Sequence, residues 1–401
     1  MKCRTCQHTI DPFMTFGRMP IANGFLLPEQ FKDEYFFELK PAFCDRCLTF
    51  QIEEQPAPDM MFHEQYAFFS RTSAHMQRHF QGYADWVCNH HLSDGDPFVV
   101  EIGSNDGIML ENFYGRGIRH LGVEPSANVA EVARSHGVNT IVRFFGIQTA
   151  ADIVGEHGKA DALVAANVIC HIPDMHDIAK GADTLLKADG VLIFEEPYLG
   201  AMIEKTSYDQ IYDEHVFIFS ALAVANIFGP YGFELVDLLK QDTHGGSMRY
   251  VLARRGARSK SPAVEKIIAE ERAAGLHLPQ TYEKFRQACE ASKERLVRLL
   301  VEEKMAGRRV VGYGATSKST TILNYCSISP DLIEFISDTT PIKQGKFTPG
   351  MHIPVKPYSA FVENYPDTAL LFAWNHKAEI MEKEKFFTGR GGKWLTHIGN
   401  D

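Results

Sequence analysis

No run of apolar residues in the 401-residue chain reaches the roughly 18 needed to cross a bilayer, which excludes a membrane-spanning helix. Behind Met1-Lys2-Cys3-Arg4-Thr5-Cys6 there is no apolar signal-peptide stretch, so a cytoplasmic location is expected. Basic charge is short: 41 Lys and Arg against 51 Asp and Glu leave a net charge of −10, and no basic stripe follows any candidate helix. Phosphate neutralisation dominates nucleic-acid binding, so nucleic acid is excluded as the bulk partner, while a local basic cluster could still hold a small phosphorylated substrate. Cysteine is sparse and uneven, with eight in all. Cys3, Cys6, Cys44 and Cys47 form two Cys-x-x-Cys pairs, whereas Cys88, Cys170, Cys289 and Cys326 stand singly and read as small buried apolar residues. In a reducing compartment the paired set reads as a structural zinc site with no open coordination position, a rubredoxin-like iron site being the minor alternative.

What is present is a globular composition, 45% apolar and 23% charged, in a chain long enough for two or three domains. The informative stretch is Phe98-Val99-Val100-Glu101-Ile102-Gly103-Ser104-Asn105-Asp106-Gly107, an apolar run ending in an acid and a glycine-punctuated turn. Ile108 to Phe113 then reads as the start of a helix. Such a strand–loop–helix unit presents backbone N–H groups at a helix N-terminus to a nucleotide-like ligand. The spacing Glu-x-Gly-x-x-x-Gly is not the dinucleotide fingerprint; it resembles motif I of the class I S-adenosylmethionine (SAM) methyltransferases. Leu121-Gly122-Val123-Glu124 is a second apolar run ending in an acid, the place where a ribose diol is gripped in such sheets. Candidate cofactor contacts are Glu101, Gly103, Asn105, Asp106, Gly107, Glu124 and, at a third strand end, Asn167.

The domains expected are a zinc-binding module over 1–60, a methyltransferase domain over 61–255, a helical connector over 256–305 and a smaller Rossmann-like domain over 306–401. In the first, Tyr35 to Leu39 is the best strand; in the second, Ala74 to Phe80 reads as helix. Strands are expected near 98–101, 120–123, 138–142, 161–165, 190–195 and 233–238, with Arg249 to Ala253 as an antiparallel edge strand. Asp189-Gly190 is a hairpin-like turn signal. Phe144 and Phe145 suit either an adenine ring or the core. The charges of the connector read as a solvated face. In the last domain Arg308 to Ser319 opens a second strand–Gly loop–helix, with Leu332 to Asp338 and Ala369 to Trp374 as further strands. Its Gly312-x-Gly314-x-x-Ser317 departs from the dinucleotide pattern at the third glycine. Lys318 and the hydroxyls of Thr316, Ser317 and Ser319 suit a phosphate.

Three polar segments border the ligand edge: Asn167 to Asp174 with His171, Tyr208 to His215, and His244 to Arg249. Within them Cys170-His171-Ile172-Pro173, Asp209 to His215 and His244-Gly245-Gly246, with the Cys-x-x-Cys pairs, Met61 to Tyr66, Val100 to Leu110, Glu196-Pro197-Tyr198-Leu199-Gly200, Asp338 to Lys346 and Thr348-Pro349-Gly350, make a collinear set. The set resembles the sugar C-methyltransferases that install the C3 branch of deoxysugars carried on thymidine diphosphate. The resemblance implies an α/β architecture: a class I SAM-methyltransferase Rossmann-like domain, an N-terminal zinc module and a C-terminal Rossmann-like domain that helps hold the sugar nucleotide. It implies SAM as donor, structural zinc on the four paired cysteines, and a 4-keto-deoxysugar linked to a nucleotide diphosphate as acceptor. It also implies His215 as the base that removes the C3 proton, with Glu214 setting its tautomer and charge. Tyr212, Tyr66 and His171 are then candidates for oxyanion stabilisation or proton relay, His171 also as base. Candidate substrate contacts are His244, Gly245, Thr316, Ser317, Lys318 and Lys343. A ketone acidifies the neighbouring C–H bond only weakly, so such chemistry needs both a base and donors for the oxyanion.

Three other readings remain at this point: O- or N-methylation of a small molecule, an NAD-dependent dehydrogenase using the C-terminal loop, and a nucleic-acid-binding zinc knuckle. The acidic balance opposes the last, and Ser317 opposes the dehydrogenase. No segment demands an oligomer.

Overall fold

The computed structural model describes residues 1–61, 71, 74–93 and 95–399. Tyr66 and the motif around it lie outside the described residues.

A seven-stranded sheet forms the middle of the chain. In spatial order its strands are Phe233–Gln241, Ser247–Arg254, Leu186–Pro197, Ala160–Ala166, Phe98–Ile102, Arg119–Val123 and Thr140–Ile141. The last five are mutually parallel; Ser247–Arg254 runs antiparallel to both of its neighbours. Apolar runs are required here because both faces are covered. Val100, Leu163, Leu192 and Phe194 bury on one side, and Val99, Val164, Val191 and Ile193 on the other. Asp189-Gly190 makes no hairpin: it lies within Leu186–Pro197, where the register slips from Ala160 opposite Leu186 to Ala162 opposite Val191. The chain bulges there and resumes the same strand.

Residues 306–399 carry a second, all-parallel sheet in the order Val355–Pro357, Ile336–Asp338, Val310–Tyr313, Thr368–Leu371, Lys393–Leu395. In each sheet the strand order reverses beside the first strand, between Phe98–Ile102 and Ala160–Ala166, and between Val310–Tyr313 and Thr368–Leu371. A crevice opens beyond the carboxyl ends of strands at such a reversal.

Two helices join the sheets, Pro262–Ala273 and Pro279–Met305, each begun by a proline whose missing N–H costs nothing there. Their charges are not all solvated. Glu271, 1% exposed, accepts the N–H groups of Ala221 (2.7 Å) and Leu222 (3.0 Å), satisfying donors at the start of helix Ala221–Phe228. Tyr282 of the longer helix stacks on Phe43 with ring centroids 4.0 Å apart, seating the helix on the N-terminal module. That module is also stitched to the middle of the chain through Phe217–Ile218, which pairs with Phe50–Ile52 as the edge of a three-stranded sheet.

The two cysteine turns have the same form. Gln7 and Leu48, the residues after Cys6 and Cys47, both have positive φ (59° and 63°), and each donates its N–H to the carbonyl of the first cysteine of its pair. All four sulfurs fall within 4.8 Å of one another. A tetrahedral zinc thiolate site with Zn–S near 2.3 Å needs S–S distances of about 3.8 Å, so this spacing fits. Gln51 Nε2 donates to Cys3 Sγ and Thr49 lies by Cys47 Sγ, both at 3.1 Å, the polar support thiolates require. Cys44→Ser should therefore abolish stoichiometric zinc, read by atomic absorption. It should also lower the unfolding temperature, because the site contributes folding free energy directly.

Candidate active site

Both strand-order reversals open on one cavity of about 370 Å³. Gly103, Asn105, Glu124, Phe144, Phe145 and Asn167 line it from the central sheet, Thr316, Ser317, Lys318 and His376 from the C-terminal sheet, and Asn23 and Pro58 from the N-terminal module. His171, Tyr212, Glu214, His215 and His244 lie between.

The motif I turn is shaped by close approach. Gly103 has φ +64°, and a Cβ there would sit 2.3 Å from Val168 Cγ2. Glu124 is held by the turn it faces: Oε2 accepts from the N–H of Asn105 (2.9 Å) and Oε1 from that of Ser126 (2.8 Å). Burial pushes its carboxyl up, and those two N–H groups pull it back toward the charged form. Asn167, at φ +55°, gives its Nδ2–H to His244 Nε2 at 3.1 Å, leaving Oδ1 buried without a hydrogen-bond partner among the described residues. An acid at the second strand tip, an open glycine turn and an unused acceptor oxygen fit the ribose, amino-acid and amine groups of SAM. Glu101, Asp106 and Gly107 do not line the cavity. Glu101 is buried in its strand, and desolvation, with Glu124 and Asp106 nearby, pushes it well above the usual carboxyl range. Asp106 Oδ2 accepts the N–H of Arg71 at 2.8 Å, so it supports the turn from behind.

The histidine side is built on Glu196. Its Oε1 accepts the N–H groups of Val168, Ile169 and Cys170 (3.0, 2.7 and 3.3 Å) and so fixes the short turn that carries His171. The rings of His171 and His215 stack with centroids 5.4 Å apart. His215 Nδ1 lies 2.7 Å from the carbonyl of Gln210, an acceptor only, so Nδ1 carries the hydrogen and Nε2 the lone pair. Tyr212 Oη lies 2.9 Å from that Nε2.

Here one expectation is corrected. Glu214 does not orient His215; the backbone carbonyl of Gln210 sets the tautomer, and Glu214 Oε1 instead accepts from Asn23 Nδ2 at 2.6 Å. Adjacent residues of an irregular segment point apart, so neighbours in sequence need not touch.

Burial inverts the usual proton affinities. It holds His171 down at about 4, His244 at about 3 and His215 well below an ordinary imidazole, and pushes Glu196 and Glu214 each up to about 7. The imidazoles are neutral where the carboxyls are titrating.

On the C-terminal side Thr316 caps helix Ser317–Tyr325, accepting the N–H of Ser319. Lys318 Nζ donates to His244 O at 3.2 Å and lies over the Trp374 ring. Burial pushes its ammonium down, with Asp209 opposing. Gly245 and Lys343 lie outside the cavity lining: Gly245 packs where a Cβ would strike Trp374, and Lys343 Nζ donates to Ala315 O at 2.8 Å, bracing the Gly loop. Asn23, Asn375 and His376 also line the cavity, and they and the turn-anchoring Glu196 carry no sequence signal of it. No spacing pattern marks them, and only their partners in distant segments do.

Comparison with known proteins places three family models in order along the chain: a zinc binding domain on residues 3–62, a methyltransferase domain on 76–238 and a C-methyltransferase C-terminal domain on 242–399. C-methyltransferase NovU of Streptomyces niveus is 34% identical over 403 residues, covering 99% of this chain and 95% of that protein. A ubiquinone biosynthesis O-methyltransferase of Glaesserella parasuis is 31% identical over 100 residues; the match covers 23% of this chain and less than half, 42%, of that protein. Among solved structures, a SAM-dependent methyltransferase from Anabaena variabilis matches 44% of this chain and 84% of its own at 17% identity and TM-score 0.35.

Gly103→Ala should cost about 1–3 kcal/mol in stability through left-handed strain and collision with Val168. It should also weaken SAM binding, read by titration calorimetry. Val168→Ala added to it should recover the space but not the strained φ.

Proposed function

The chain belongs to the SAM-dependent C-methyltransferases, and from that premise we propose that it methylates C3 of a 4-keto-deoxysugar linked to a nucleotide diphosphate, with thymidine diphosphate as the carrier. One observation carries the reading: a methyl-donor turn and a phosphate-suited Gly loop, about 200 residues apart, line the same cavity with a stacked imidazole pair between them. Either loop alone fits many reactions. Together they fit a donor and a nucleotide-activated acceptor brought into contact, where positioning supplies much of the acceleration.

SAM, when bound, supplies an electrophilic methyl group. The remaining chemistry falls to side chains. In this reading His215 Nε2 takes the C3 proton, directly or through Tyr212 Oη, while Nδ1–H stays on the Gln210 carbonyl so that the imidazolium formed remains hydrogen-bonded. His171, neutral because burial holds it at about 4, donates N–H to the C4 oxyanion as a neutral electrophile, and Tyr212, with a single O–H, either relays the C3 proton or is a second donor. Tyr66 is retained as a further donor. Thr316, Ser317 and Lys318 receive the diphosphate, His244 faces the sugar, and Gly245 and Lys343 act from outside the wall by shaping the loops. A second assignment of the base has its own support: Glu214 lines the cavity with a proton affinity near neutrality, at about 7.

His215→Asn should lower both C3 proton exchange in heavy water and methyl transfer by about 10²–10⁴-fold, with SAM binding retained. Exchange is read by NMR and methyl gain by mass. Exchange surviving in His215→Asn but lost in Glu214→Gln moves the base to Glu214. A product methyl found on oxygen or nitrogen, with no C3 exchange in the native enzyme, defeats the C3 reading.

A further inference from the structure

Asn23 belongs to the zinc-bearing module, yet both polar ends of its side chain are used elsewhere. Nδ2 donates to Glu214 Oε1 at 2.6 Å, and Oδ1 accepts from Ser317 Oγ at 3.0 Å across 294 residues of sequence. An ionised carboxylate only accepts, so it must face the amide nitrogen, and that orientation turns the amide oxygen to the Ser317 hydroxyl, which donates to it. The preceding residue repeats the clasp with its backbone. Ala22 N–H donates to Asp213 Oδ1 at 3.1 Å, and Ala22 O accepts from Thr320 Oγ1 at 2.9 Å. Two consecutive residues of the N-terminal module are thereby gripped between the segment carrying Tyr212 and His215 and the first turn of the C-terminal Gly-loop helix.

We propose that Asn23 is a positioning residue that ties the Glu214 carboxyl to Ser317, holding it in one orientation in the cavity and making its ionisation depend on the zinc-bearing module. The inference rests on the reading of Glu214 as part of the methyl-transfer site.

The charges around Glu214 show what the tie does. Burial raises its proton affinity; the Asn23 hydrogen bond is the larger opposing influence and the Lys343 ammonium the smaller. Asp213, raised well above the usual range by burial and by Glu214 itself, and the Cys170 thiol also feel the Glu214 charge, so neither favours its ionisation. Hydrogen bonding to the charged form of an acid lowers its pKa, and removal raises it. With Asn23 in place Glu214 titrates at about 7; without it the midpoint moves up and the carboxyl is protonated at neutral pH.

The test is infrared difference titration of the full-length, zinc-loaded protein, with Glu214→Gln identifying the Glu214 carboxyl band. Asn23→Ala should raise the midpoint by about 1 pH unit, from the typical strength of a hydrogen bond to a charged group. Asn23→Asp, nearly isosteric, should raise it further by placing a second carboxyl against the first, and covers the case in which the alanine variant does not fold. Ser317→Ala, which loosens the far end of the tie, should shift it in the same direction by less. Zinc content and unfolding temperature are measured alongside, because a purely structural Asn23 would lower stability and leave the midpoint unmoved. Midpoints unchanged in folded, zinc-loaded Asn23→Ala and Asn23→Asp overturn the proposal. Failure of the native enzyme to methylate any nucleotide-linked keto sugar would sink the functional reading and leave the titration result standing.

Discussion

Desolvation is the constraint on which the site depends. Three segments of the chain close over one cavity, and burial of the ionisable groups there makes the charged form of each expensive. Histidines are driven down and carboxyls up, so Glu196 and Glu214 change charge near neutrality while His171 and His244 stay neutral to about 4 and 3. The consequences for stability have opposite signs. As pH falls below about 7 the native state takes protons on the two raised carboxyls before the unfolded chain does, which favours folding. Below an imidazole's ordinary value of about 6.5 the unfolded chain protonates histidines that the native state keeps neutral, which opposes it. The two effects oppose each other between about 6.5 and the ordinary carboxyl range near 4.5, and below that only the histidine effect remains, down to about 4 for His171 and about 3 for His244.

Such a cavity needs rigid walls, and the zinc-bearing module supplies much of the stiffness. It borrows Phe217–Ile218 for its sheet, stacks Phe43 on Tyr282 of the connecting helix, and inserts Ala22 and Asn23 between the two Rossmann-like parts. A four-cysteine metal site, saturated in ligands, fixes the base of that wedge. The module thus serves the cavity although its metal has no open position for chemistry.

The carboxyl-end reversals explain why two parallel sheets can share one site. A crevice forms where strand order reverses, whatever the side chains. Facing two such crevices toward each other encloses a space larger than either half would make, with one loop shaped for SAM and the other carrying Thr316, Ser317 and Lys318. The Gly-rich loops are similar in kind, and their separate uses come from what projects into them.

Much was legible without coordinates. The paired cysteines, the motif I turn, the acids at strand tips and the alternation of strand and helix are local patterns, enforced by metal geometry, left-handed φ at Gly103 and two-sided burial of strands such as Phe98–Ile102. The bulge at Asp189-Gly190 was not legible, because a turn signal does not say whether the chain reverses or resumes its strand. Nor was the pairing of Glu214 with Asn23 rather than His215, the low proton affinity of the histidines, or the burial of Glu271 at another helix's start. Each is settled by groups far away in sequence and by the water they exclude, so sequence alone determined the parts and their order, and tertiary structure decided which of them meet and in what charge state.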